Sequence, residues 1–215
     1  MNVLIVDDHA LIREGIAMMV RSIRPEAGVW LANTASAGLE IARSQSIDYA
    51  FLDLQLPDAS GFDALQSMKR RNEMMSVVVV SAQEDRPTVL RALEMGASAF
   101  VPKSANSDEI RTVVQNLFDG KVCLPDSVLA PDARASTGAA RSLPNEAQWN
   151  LTERQKEVLA LLVLGLSNKM IARRLDIVES TVKIHVSAIL REMKVATRTQ
   201  ALLEVARRGV SLPTF

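Results

Sequence analysis

Tyr49-Ala50-Phe51-Leu52-Asp53 is an apolar run that stops on a carboxylate. Three other stretches share its form. Val3-Leu4-Ile5-Val6 runs into Asp7-Asp8, Val77-Val78-Val79-Val80 into Ser81, and Ala99-Phe100-Val101-Pro102 into Lys103. Short apolar runs of this kind, separated by helical patterns, read as buried parallel strands. Open α/β sheets bind their ligands beyond the carboxyl ends of the strands. One sheet edge is therefore expected to gather three carboxylates, a hydroxyl and an ammonium. That set can hold a divalent metal and handle a phosphoryl group.

Outward from these runs, strand and helix patterns alternate. A strand at 2–6 leads to a helix near 9–22, whose apolar stripe is Leu11, Ile12, Ile16, Met19 and Ile23. A second strand near 28–33 leads to a helix near 35–44. Helices are expected near 61–71, 85–95 and 107–119, each following one of the remaining strands. Five βα units in about 120 residues imply a doubly wound five-stranded parallel sheet with helices on both faces.

Residues 121–148 change character. Pro125, Pro131 and Pro144, with alanine, serine and glycine around Ala135–Ala140, read as a linker. From Leu151 the pattern is wholly helical. Thr152 with Gln155 forms a capping box for a helix to about Leu164, which Gly165 stops. Ser167 caps a short helix, 168–175. The turn Asp176-Ile177-Val178 leads to a longer helix, 179–193, and Thr197 with Gln200 opens a last one ending by Gly209. The expected domains are thus 1–120, a linker at 121–148, and an all-α four-helix domain at 149–215.

The chain has 25 Lys/Arg and 25 Asp/Glu, a balance that hides an asymmetry. Residues 1–149 carry 14 basic and 19 acidic side chains, a net of −5, and residues 150–215 carry 11 and 6, a net of +5. The basic part is the candidate for nucleic acid. The single cysteine, Cys123, excludes an internal disulfide framework and a cysteine-rich zinc site. No stretch has the roughly 18 apolar residues of a membrane span, and no signal-peptide pattern opens the chain. A soluble, cytoplasmic protein is expected.

Asp53 is the candidate nucleophile, since a carboxylate can attack phosphorus and form an acyl phosphate. Asp7, Asp8 and Asp53 offer the hard oxygens that suit Mg²⁺. Lys103 and Ser81 would serve the equatorial oxygens of the phosphoryl group, and small Ala82 leaves room for the donor. Taken singly, each of these residues can be a cap, a turn residue or a solvated side chain. Asp58, Asp85 and Asp108 read as loop or capping residues, and His9 as a helix-start residue.

In order and spacing, this set resembles the receiver domain of two-component response regulators over residues 1–120. The resemblance implies a flavodoxin-like fold, phosphorylation of Asp53 by a sensor histidine kinase, and Mg²⁺ held by Asp7, Asp8, Asp53 and the backbone carbonyl of Gln55. Ser81 and Lys103 match the family's phosphoryl-stabilising pair, and Phe100 its aromatic switch. Two positions depart from the pattern. Pro102 precedes Lys103 where the family often has Lys-Pro, and Phe100 lacks the hydroxyl of the common tyrosine.

On the helix near 179–193, Val182, Val186, Ile189, Leu190 and Met193 form a core stripe. The opposite face carries Ser180, Ile184, Ser187 and Arg191, with Lys183 on its flank. Isoleucine amid polar residues suits contact with thymine methyl groups. A short helix, a tight turn and a longer helix make the helix-turn-helix layout. The stretches Leu151–Leu159, Ser167–Ala172 and Glu179–Val186 resemble the LuxR-type domain, and the whole chain resembles NarL/FixJ-type regulators. The candidate DNA-binding residues are Lys169, Thr181, Lys183, Ile184, Ser187 and Arg191. Val178 stands where Ser or Thr commonly caps the recognition helix. The resemblance also implies promoter DNA as partner and dimerisation through the last helix when active.

Three functions compete at this point. One is a phosphorylation-controlled transcriptional regulator rather than an enzyme. Another is a Mg²⁺-dependent aspartyl phosphohydrolase, against which Gln55 counts, because such enzymes carry an acid/base aspartate there. The third is a regulator that works without phosphorylation. The helical part alone is also compatible with a protein-interaction module.

Overall fold

The computed structural model describes residues 1–72, 75–121 and 149–208. All of the expected linker past Lys121, with Cys123, and the end of the chain from 209 lie outside the described residues.

Five strands alternate with five helices in the first part: β1 (Asn2–Val6), α1 (Ala10–Ile23), β2 (Gly28–Ala32), α2 (Ala35–Ser44), β3 (Tyr49–Asp53), α3 (Gly61–Arg71), β4 (Ser76–Ser81), α4 (Arg86–Glu94), β5 (Ala99–Pro102) and α5 (Ser107–Phe118). The strands are parallel in the order β2-β1-β3-β4-β5. The strands are apolar along their length because both faces of the sheet are covered. Leu4, Val6, Ala50, Leu52, Val77, Val79 and Phe100 pack on the side of α2, α3 and α4. Val3, Ile5, Phe51, Val78, Val80, Ala99 and Val101 pack on the side of α1 and α5. Burying a Val, Leu, Ile or Phe side chain contributes roughly 1.5–3 kcal/mol, so the strand interior dominates the stability of this part.

The order places β1 and β3 side by side, with Val6 opposite Leu52. Asp7 and Asp53 consequently emerge at one edge. Asp53 pairs in register with Val80 and Ser81 with Pro102, which brings Ser81 and Lys103 to that edge too. Gly61 is required by close approach: a Cβ there would lie 2.3 Å from the Leu54 Cα and 2.4 Å from the Asp53 carbonyl oxygen. Among the described residues no peptide bond is cis, so Lys103–Ser104 is trans.

The second part holds four helices: α6 (Glu153–Val163), α7 (Asn168–Leu175), α8 (Glu179–Glu192) and α9 (Arg198–Arg208). The expected caps form. Thr152 and Gln155 make a reciprocal capping box, and Ser167 accepts from Met170 N. Gly165 takes φ +76° just past α6, and Asp176 takes φ 52° at the end of α7, where the short polar side chain tolerates the left-handed region. A separate core joins Val158, Leu159, Leu162, Ile171, Val182, Ile189 and Met193. Val186 and Leu190 pack against it, completing the predicted stripe of α8.

Candidate functional site

At the carboxyl edge of the sheet, Asp53 is fully buried and Asp7 nearly so. Asp53 Oδ1 accepts from Gln55 N at 2.9 Å, and its Oδ2 accepts from Lys103 Nζ at 2.7 Å. The same ammonium donates to Asp7 Oδ1 at 3.1 Å. It also lies 2.9 Å from Asp7 Oδ2. Lys103 is positioned by its backbone, whose N donates to Ser81 O at 2.8 Å. Ser104 Oγ donates to Glu84 Oε2 at 2.9 Å, tying the loops after β4 and β5 together.

Burial pushes the Asp53 carboxyl above its ordinary pKa, against the lowering effect of the Gln55 amide and Lys103. Burial alone would lower Lys103, but its hydrogen bonds to Asp53 and Asp7 raise it overall. The directions follow from the charge count: two carboxylates outweigh burial at Lys103, whereas one ammonium does not outweigh it at Asp53. Asp8, which is half exposed, adds a third carboxylate. The cluster is short of positive charge, and buried charges are normally paired or bound to metal.

Asp7, Asp8, His9 and Asp53 each present a ligand atom, all within 4.8 Å of one another. This oxygen-rich donor set suits Mg²⁺. The described residues fit such an ion. His9 stands at the helix start, as expected, and also faces the acidic pair. It occupies the N-cap of α1 without a capping bond, and its Nδ1 turns back to within 2.7 Å of Asp8 Oδ1 and 3.2 Å of Asp7 Oδ1.

The remaining predicted residues fall as follows. Ser81 is fully buried, and its Oγ accepts from Gln83 N at 3.1 Å. Ala82 is exposed beside it. Phe100 is 3% exposed, inside the core that includes Val89, Ala92 and Leu93 of α4. Gln55 sits at the rim in an isolated bridge with Ser60. Asp85 caps α4 through Thr88 N, while Asn106 rather than Asp108 caps α5. Asp58 receives the backbone N of Ala35 and Ser36 and the Ser36 hydroxyl at 2.7–2.9 Å. These bonds hold its carboxyl down at about 2 and anchor the loop after Asp53 to α2. Sequence reasoning did not find Arg13, whose guanidinium donates to Asp7 O at 2.8 Å. No local pattern marks that contact.

In the helical part, Lys169, Lys183, Ile184, Ser187 and Arg191 are exposed and Thr181 is half-buried. Ile184 is 69% exposed at the centre of a polar face, as the helical spacing requires. Val178 is the N-cap of α8 and makes no side-chain cap bond.

The two parts meet at the sheet edge opposite Asp53. Thr199 Oγ1 donates to Ser98 O and Gln200 Nε2 to Glu94 O, each at 2.7 Å. Arg207 pairs with Glu94, and Arg198 donates to Gly120 O. Leu203 of α9 packs against the core on the α4 side. Lys169, Arg173 and Lys183 line a cleft of about 540 Å³ whose other wall includes Tyr49, Phe118 and Asp119. The last helix, read from sequence as core or dimer contact, is here a docking element.

Residues 3–115 match the response regulator receiver domain and residues 149–205 the bacterial regulatory proteins of the luxR family. The chain belongs to the response regulators. It is similar to the nitrate/nitrite response regulator NarL of Escherichia coli K12, at 32% identity over 97% of this chain and 96% of that one. It is also similar to the glycerol metabolism activator of Pseudomonas putida, at 34% identity over 94% and 93%. Among solved structures, RcsB of Salmonella typhimurium matches with a TM-score of 0.57, covering 96% of this chain and 98% of that one. At 21% identity that likeness concerns the fold. Phosphorylation-controlled, DNA-binding regulation of transcription is the function of response regulators built this way. No described helix of this response regulator is long and apolar enough to cross a membrane.

Proposed function

We propose that this response regulator accepts a phosphoryl group on Asp53 from a sensor histidine kinase, and that phosphorylation frees α8 to bind promoter DNA. The carrying observation is the buried Asp53 carboxylate, held at the sheet edge between Asp7 and Lys103. In the transfer, an Asp53 oxygen bonds to phosphorus as the bond from phosphorus to the kinase imidazole breaks. The electron pair of that bond returns to the imidazole nitrogen. Asp7, Asp8, Asp53 and the Gln55 carbonyl would hold Mg²⁺, which supplies charge neutralisation and in-line alignment. Lys103 moves from the Asp53 carboxylate to a phosphoryl oxygen, and Ser81 Oγ hydrogen-bonds another. Gln55, two residues past Asp53, has no acid/base group for rapid turnover, which favours a switch over a phosphohydrolase.

In the DNA-binding part, residues 149–215, Lys183, Ile184 and Ser187 face base edges. Lys169, Thr181 and Arg191 support them at the backbone or the rim of the groove. The receiver spans 1–120, and 121–148 links the two. In the docked arrangement a cleft of about 540 Å³ separates Lys183 from the receiver wall. A DNA helix cannot enter it, so binding requires the domains to part. Thr199, Gln200 and Arg207 of α9 are engaged with the receiver. Dimerisation through α9 therefore competes with docking and follows release. Ser81 heads the loop into α4, and Glu94 and Ser98 follow at its other end, so α4 and β5 connect the two sites. The protein works in the bacterial cytoplasm.

The experiment is phosphotransfer from a histidine kinase or acetyl phosphate, read as acid-labile phosphate on the chain. Wild type is expected to label in the presence of Mg²⁺ and Asp53→Asn to lose the label. Undiminished labelling of Asp53→Asn removes the assignment.

A further inference from the structure

A second cavity, of about 150 Å³, lies in the seam between the domains. The receiver contributes Lys69 and Ser76 to it, the first residue past the receiver contributes Lys121, and the DNA-binding part contributes Thr197, Arg198 and Thr199. Among the described residues that line it, none is a carboxylate. Arg198 is the informative one. Its guanidinium donates to Gly120 O across the seam and to Leu166 O within its own domain. Its Nε is buried and donates to no group among the described residues. No acidic side chain pairs with it among the described residues, and burial lowers its pKa to about 10.

A half-buried guanidinium opposed, among the described residues, only by neutral carbonyls is incompletely compensated. The surrounding groups offer donors rather than a counter-charge. Thr197 Oγ1 already accepts from Gln200 N at 3.1 Å, so its proton is free to be given away. Among the described residues, Lys121 Nζ donates to the Asn116 side chain, at 3.2 Å. Arginine suits planar, multi-point recognition of oxyanions. The volume is well below the ~300–1,000 Å³ typical of pockets for larger organic ligands, which excludes a nucleotide.

We propose that this cavity binds a small tetrahedral oxyanion of the inorganic phosphate class, held by Arg198 with Lys121 and Thr197, and that the anion fastens the docked domains. Both domains build the site, so separation destroys it. An anion that binds only the docked form must, by linkage, oppose release of α8. The proposal rests on the docked arrangement and not on Asp53 chemistry.

The test is calorimetric titration of inorganic phosphate into the full chain without Mg²⁺, with chloride at matched ionic strength as the reference. Wild type is expected to bind one phosphate saturably and to gain thermal stability with phosphate concentration. Arg198→Gln is expected to weaken binding at least tenfold, and Lys121→Met several-fold, with circular dichroism of both variants unchanged. Equal binding by wild type and both variants means an adventitious ion only, and overturns the proposal. Absence of binding to wild type overturns it as well. A further arm adds beryllofluoride with Mg²⁺, which is expected to weaken phosphate binding by opening the seam. Arg198-dependent binding that ignores beryllofluoride supports the anion site and removes the opening reading instead.

Discussion

At the scale of single residues, the switch rests on an imbalance of buried charge. Lys103 is a single ammonium shared between the buried carboxylates of Asp53 and Asp7. The phosphoacceptor is thereby kept ionisable, buried and one cation short. Asp58 plays a separate, structural part on the surface. Its carboxyl is depressed to about 2 by Ser36 and Ala35, below the ~3.9 of an unfolded chain. A depressed carboxyl contributes stability that is fully present above the unfolded value and is lost as pH falls through the folded one. Asp58→Ala is therefore expected to destabilise the protein above about pH 4, and the difference from wild type is expected to shrink between about pH 4 and 2. Paired urea titrations across that range check it. A constant gap would place the effect in packing instead.

At the scale of elements, the strand ends were legible because each run of apolar residues stops on a polar one. Parallel strands buried on both faces leave no ambiguity about where Asp7, Asp53, Ser81 and Lys103 emerge. The α8 stripe was legible for the same reason: Val182, Ile189 and Met193 recur at helical spacing and are buried. His9 was not, because its turn back to Asp8 depends on a side-chain choice that no periodicity records. Nor was the role of α9. Thr197 and Gln200 make the predicted cap, but the cap says nothing of the receiver groups that Thr199, Gln200 and Leu203 meet. Val178 supplies the element-scale prediction. It is 65% exposed, so it gives α8 little packing, and its φ of −77° and ψ of 149° suit a capping residue. Val178→Ser is expected to stabilise the helical domain by ~1 kcal/mol, measured as a shift in its unfolding transition. A loss of stability would show that the valine packs more than its exposure indicates.

At the scale of the whole molecule, the docked state is weakly held. An exposed ion pair such as Glu94–Arg207 contributes at most about 1 kcal/mol, and each seam hydrogen bond about 0.5–1.5 kcal/mol. Moving a two-state equilibrium from 1:99 to 99:1 takes roughly 5.5 kcal/mol, the same order as these contacts together, so a rearrangement of α4 and β5 that breaks them would open the seam. Glu94→Arg places like charge against Arg207 and is expected to raise the DNA affinity of the unphosphorylated protein. Fluorescence anisotropy with a duplex carrying a selected binding site measures this. Unchanged affinity would mean that the seam does not restrain α8.

The central claim is that modification at Asp53 parts two domains that meet at the far edge of the sheet. Electron–electron distance measurement tests it most directly, with spin labels replacing the exposed side chains of Glu40 and Glu153 in a background lacking Cys123. Without ligand, one narrow distance is expected. Beryllofluoride with Mg²⁺ is expected to replace it with a broad, longer distribution in the Asp53 protein and to change nothing in Asp53→Asn. A narrow distance that persists under beryllofluoride, while DNA affinity rises, would contradict the account.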